Sequence, residues 1–180
     1  MGKLNQIDKA AESKGSLLVT IWQFVKFIVV SLLAMIVQFV LLNTLNLIPA
    51  IKELYSQPFE WWVFIYPVAV GGLGYFIVSN VANIIAQIVA FFVNKEKTFN
   101  SGANGAVALP IYIIFTIGLI LFSAWLNPTF KELCIGWGLE ETAAKNIATM
   151  VCSALQFFLY FPVDKILFHK KKEEKTEEAK

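Results

Sequence analysis

The sequence predicts an all-α membrane protein with four transmembrane helices, from its long uncharged runs, the distribution of its lysines and the positions of its tryptophans. The chain is 57% hydrophobic and 16% charged, whereas soluble domains carry about 25% charged residues. No charge interrupts the 25 residues between Lys26 and Lys52, the 34 between Glu60 and Lys95, the 33 between Lys97 and Lys131, or the 18 between Lys145 and Asp164. A hydrocarbon layer of about 30 Å takes about 20 helical residues at about 1.5 Å each. Four such runs leave too little polar chain to cover them in a soluble fold, and they are too long and too apolar for the strands of a β-barrel.

Breakers and charges set the expected spans. The first covers about 27–47 and is ended by Pro49. Pro67, Gly71, Gly72 and Gly74 divide the second run, so its span is placed at about 75–93, with the aromatic stretch before it at the interface. The third follows the turn Asn100–Gly105, covers about 106–126 and is stopped by Asn127-Pro128; the fourth covers about 146–162, with room to continue a turn beyond Pro162. Residues 1–26 are expected to be a cytoplasmic segment. Within it Leu17, Leu18, Ile21, Trp22 and Val25 recur at helical spacing, as in an interfacial helix that turns into the first span. The long polar start and full-length first run do not read as a cleaved signal peptide. Residues 27–168 would form the transmembrane domain. The Lys- and Glu-rich residues 169–180, with His169, would form a disordered tail.

All 15 cations are lysines. Four spans put Lys3, Lys9, Lys14, Lys26, Lys95, Lys97, Lys165, Lys170, Lys171, Lys172, Lys175 and Lys180 on one side, against Lys52, Lys131 and Lys145 on the other. The positive-inside rule then places both termini in the cytoplasm. Trp22, Trp61, Trp62, Trp125 and Trp137 fall at or beyond span ends, where aromatic belts belong.

Polar side chains within the spans are the candidates for chemistry, because lipid makes them costly. Asn80, Asn83, Gln87 and Asn94 share one face of the second span, with small Ala90 in the gap. The fourth span repeats the design with Lys145, Thr149, Ser153, Gln156 and Tyr160; the third offers Tyr112, Thr116 and Ser123, and the first Ser31 and Gln38. The plain reading is interhelical glue at under about 1 kcal/mol per group. Four aligned stripes suggest instead a polar seam that serves as a pathway or a headgroup groove. No Asp, Glu, His or Arg is expected in the membrane core, which leaves no titratable group at mid-depth. Catalysis is not expected: there is no nucleophile–base pair, and Gly71-Gly72-x-Gly74 lacks the lysine of a phosphate loop. Cys134 and Cys152 fall too far apart along the fold for a disulfide, and no metal-ligand spacing exists, so no cofactor or metal is implied. Nothing points to nucleic acid.

An internal similarity joins the halves. Phe91-Phe92-Val93-Asn94-Lys95 matches Phe161-Pro162-Val163-Asp164-Lys165 at an offset of 70 residues, and Phe99 and Phe168 follow soon after. Both ends face the same side, so the expected origin is a parallel duplication of a two-helix hairpin.

The same residues carry a family resemblance. Ala90-Phe91-Phe92-Val93-Asn94-Lys95-Glu96-Lys97-Thr98-Phe99 resembles the "aFllNrkwvF" signature closing the second helix of GtrA-like proteins. Lys26-Phe27-Ile28-Val29-Val30-Ser31 resembles the "RFllvG" opening of their first helix, with Ser31 in place of glycine. Thr98 also departs from the pattern, and the outer loop from Ile48 to Gly74 is longer than usual. The resemblance covers about 26–168. It implies translocation of a polyprenyl-phosphate-linked sugar across the cytoplasmic membrane, for glycosylation of O-antigen, teichoic acid or a similar envelope polymer. The candidate substrate-binding residues are Asn94, Lys145, Gln87, Gln156, Gln38, Asn83, Phe99, Lys95 and Phe115. Lys95 and Lys97 at one mouth and Lys145 at the other could hold a phosphate as point charges; the plain alternatives are snorkelling flanks and a Glu141–Lys145 surface pair. The expected partners are the lipid carrier, membrane lipids, a membrane glycosyltransferase and a second copy of the chain. Two other functions compete. An accessory anchor for a glycosyltransferase would need no polar seam, and a small multidrug exporter would want an embedded carboxylate.

Overall fold

The structure is a computed structural model that describes residues 3–169, without the side chains of residues 3–5, Glu141, Thr142 and Lys145. The expected tail beyond His169 and the Lys145 side chain therefore lie outside the described residues. The fold is mostly helical, and four of its helices are long and apolar enough to cross a membrane, as in a multi-pass membrane protein. In chain order the elements are α1 (Lys3–Glu12), α2 (Ser16–Leu45), α3 (Pro49–Leu54), β1 (Phe59–Trp61), β2 (Phe64–Tyr66), α4 (Gly72–Val93), α5 (Gly105–Gly136) and α6 (Glu141–Leu167). A π-helical turn, Asn94–Thr98, extends α4.

Three expected boundaries differ. α2 runs through Lys26 without a break for 30 residues, about 45 Å at 1.5 Å per residue, so the turn from an interfacial helix into the span is absent. The short helix before it is α1, held against α2 by Asp8, which accepts from Trp22 Nε1 at 2.6 Å and Lys26 Nζ at 2.9 Å. α5 passes through Pro128 to Gly136, and α6 passes through Pro162 to Leu167. A proline removes one backbone donor and kinks a helix; in apolar surroundings the remaining backbone bonds still favour continuing it.

α2 packs most closely on α4 and α5 on α6, with α4 and α5 joining the two pairs. Small residues permit the close approach. Gly74, Val78, Ala82, Ala86, Ala90 and Asn94 form a buried row along α4 at steps of four. Seventy residues on, Ala144, Ala148, Cys152, Tyr160 and Asp164 are buried along α6, with half-buried Gln156 completing the row. At the end where α4 and α6 terminate, Phe27, Phe91, Phe99, Tyr112, Tyr160 and Phe168 form one aromatic core.

At the other end, the β1–β2 hairpin lies over the start of α4. Phe59 stacks on Phe76 at 4.3 Å, and Phe64 meets the same ring edge-on at 5.1 Å. The glycines read as breakers also serve close packing. A Cβ on Gly72, which has φ +52°, would collide with the Gln57 carbonyl oxygen, and one on Gly74 would enter the Tyr55 ring. Leu73 N donates to that same Gln57 carbonyl at 2.8 Å, tying the loop to the helix.

Candidate functional site

The four long helices leave two cavities between them. The deeper one, about 160 Å³, is bordered by Ser31 and Gln38 of α2, Gln87 and Asn94 at the α4 side, Tyr112 of α5, and Ser153, Gln156 and Tyr160 of α6. The second, about 480 Å³, lies under the hairpin, between Phe64, Tyr66 and Tyr75 on one side and Asn80, Asn83, Ser123 and Asn127 on the other. Gln38 and Gln156 border both cavities and form the waist between them. The stripes read from the sequence thus converge: each long helix supplies polar groups to a continuous row of cavities.

Hydrogen bonds fix part of this lining and leave part free. Tyr112 Oη donates to Gln87 Oε1 at 3.0 Å, Gln156 Nε2 to Ser123 Oγ at 2.5 Å, and Tyr160 Oη to Thr116 Oγ1 at 3.1 Å. Asn80 turns back to the Phe76 carbonyl at 2.7 Å. Gln38 and Asn83 make no hydrogen bond to another described group, so both amides remain available to a ligand. Over the larger cavity, burial and then the neighbouring Tyr75 push the pKa of the Tyr66 hydroxyl up, which keeps it a donor. Among the described residues, no charged side chain lines either cavity. Such a lining suits a neutral ligand rich in hydroxyls, with aromatic faces for its apolar side.

At the floor of the deeper cavity, Thr98 Oγ1 donates to Asn94 Oδ1 at 2.8 Å, and Asn94 Nδ2 donates to Asp164 Oδ2 at 2.7 Å. Asn94 and Thr98 are each 1% exposed, and Asp164 is 0%. The other carboxylate oxygen of Asp164, Oδ1, has no partner. Asp164 lies near the end of the fourth apolar segment, Asn146–Leu167, beyond the span end expected at about 162. Ending the span near Pro162 had made it look like a boundary charge. Its equivalence to Asn94 at the 70-residue offset was the signal that could have found it.

The candidate residues divide. Asn94, Gln87, Gln156, Gln38 and Asn83 line the cavities. Phe115 instead packs edge-on against Tyr160, 5.4 Å between ring centres, behind the lining. Phe99 lies beneath the floor, 5.6 Å from Phe168, beside a shallower cavity of about 190 Å³ that Lys165 and His169 also border. Lys95 faces Glu96 at 3.7 Å and borders neither main cavity. Lys165, the repeat equivalent of Lys95, donates to Thr20 Oγ1 at 2.8 Å, linking the ends of α6 and α2. No protein-family model, curated protein or solved structure matches the chain.

Proposed function

We propose that the chain is a GtrA-like protein of the cytoplasmic membrane, with both termini inside, that moves a polyprenyl-phosphate-linked sugar to the outer leaflet for glycosylation of an envelope polysaccharide. The reading is carried by the uncharged, amide-rich row of cavities between the helices. The larger chamber has room for a sugar, while the polyprenyl chain stays in lipid beside the bundle. Lysine placement supports the orientation. The two buried rows at steps of four, in register at an offset of 70, support a parallel duplication of a two-helix hairpin.

The rivals differ in what they need from this lining. A drug exporter that binds cations would need an anion facing its cavity, and Asp164 borders neither chamber. An anchoring subunit of a glycosyltransferase needs only the apolar outer faces. Gln87→Leu and Gln156→Leu separate translocator from anchor. Glycan analysis of cells carrying each variant at wild-type membrane level should show loss of one envelope sugar. Full decoration with both variants would sink the translocation reading and favour the anchor.

A further inference from the structure

We propose that Asp164 is the proton-binding site of a gate that closes the deeper cavity at the lysine-rich end of the bundle; its use in transport rests on the translocation reading, but its operation does not. The Asn94–Asp164 hydrogen bond stands between two spaces. Asn94 borders the deeper cavity, and Phe99 and Phe168 border the shallow one beneath. Phe91 and Phe168, each within about one turn of a bonded partner along the chain, meet edge-on with 5.1 Å between ring centres.

The chemistry of the carboxyl follows from its surroundings. Asp164 is wholly buried, has one hydrogen bond and leaves Oδ1 without a partner. No ammonium among the described residues pairs with it: Lys26 is held by Asp8, Lys95 faces Glu96, and Lys165 reaches Thr20. The titratable groups near enough to feel its charge are Tyr112 of α5 and Tyr160 of its own helix, neither of them a cation. Asn94 and Thr98, from α4 and its π-helical turn, contribute no charge, and His169 and Glu12 lie beyond Phe168 at the shallow cavity. An ionised carboxylate is costly without a counter-charge, whereas a neutral acid is tolerated. The closed gate therefore holds the protonated acid. Parting Asn94 from Asp164 admits water, releases the proton to it and leaves a hydrated carboxylate; closing takes one proton back. By linkage, proton binding favours closure and deprotonation favours opening.

The test needs no lipid substrate. The full chain, with Cys134→Ala and Cys152→Ala, carries Ala90→Cys in the buried wall of the deeper cavity and is reconstituted in plain phospholipid vesicles. An impermeant thiol reagent is added on the side where Gly102→Cys reacts, and rates are normalised to that exposed reporter. Labelling at position 90 should rise about tenfold between about pH 5 and about pH 9. With Asp164→Asn, the neutral isostere, it should stay slow and flat, and sodium at constant pH should change neither. A flat profile in the Asp164 background, an unchanged slope in Asp164→Asn, or a sodium response at fixed pH overturns the gate. Should that variant not fold, Asn94→Leu with Asp164→Leu serves as the acid-free control for thiol ionisation, and a slope there equal to that of the Asp164 background overturns the gate. A pH-responsive gate in a protein that moves no lipid-linked sugar would sustain this inference and overturn the translocation reading.

Discussion

The Tyr112 hydroxyl of α5 donates to Gln87 Oε1 of α4 at 3.0 Å, joining the two helix pairs at the level of the deeper cavity. Tyr112 is buried, and its ring stands 5.2 Å from Phe91 and 5.5 Å from Tyr160. Tyr112→Phe removes the donor and keeps the ring, so it should cost about 1 kcal/mol, the usual scale for such bonds between membrane helices. Tyr112→Leu also loses the ring contacts and should cost more. Unfolding in mixed micelles measures both; equal costs would mean that the hydroxyl, not the ring, carries the position.

The Asn94–Asp164 pair should behave asymmetrically. Asn94→Leu leaves a buried carboxyl without its donor, a loss of about 1–3 kcal/mol. Replacing both partners, Asn94→Leu with Asp164→Leu, should recover much of that loss, because no polar group is then stranded. A double variant as unstable as the sum of its singles would deny any coupling between the two side chains.

Two glycines give a contrast in stability. Gly72→Ala meets the Gln57 carbonyl at positive φ, whereas Gly118→Ala meets open space within α5. The first should displace the hairpin and lower stability by more than about 1 kcal/mol, while the second should be neutral or gain about 0.5–1 kcal/mol. Thermal unfolding of the two purified variants reads the difference directly.

Orientation has a direct measurement. Ser101 is buried and its hydroxyl accepts from Ala103 N at 3.0 Å, so the exposed neighbour Gly102 is the better reporter. Gly102→Cys should resist an impermeant thiol reagent in intact cells, and exposed Gln57→Cys should react. Labelling at position 102 from outside would reverse the proposed topology.

The four long helices were legible because crossing length is written into composition: an uncharged run of sufficient length has few other uses. Their ends were less legible. Pro128 and Pro162 look like stops in a local reading, yet apolar surroundings penalise unravelling more than one missing donor. The lining was legible at Gln38, Gln87, Asn94 and Gln156, since steps of three and four put polar groups on one face. Phe115 and Lys95 lie outside those stripes: Phe115 packs behind the lining against Tyr160, and Lys95 faces Glu96, contacts that spacing alone does not specify. Asp164 escaped because a charge near a helix end normally reaches solvent. The 70-residue match to Asn94 was the one hint in the sequence, and the buried contact between the two shows that this charge does not.

The pairing of Asn94 with Asp164 also bears on ancestry. In an assembly of two identical hairpins, a residue on the symmetry axis meets its own copy. Two aspartates meeting there would repel, whereas two asparagines could bond to each other. Fusion into one chain frees the two positions to diverge, so that a donor amide can face a single carboxyl, as Asn94 Nδ2 faces Asp164 Oδ2. A symmetric dimer could not install one acid at its centre without installing two. On the duplication reading, covalent joining of the halves is what allows a lone acid at the axis.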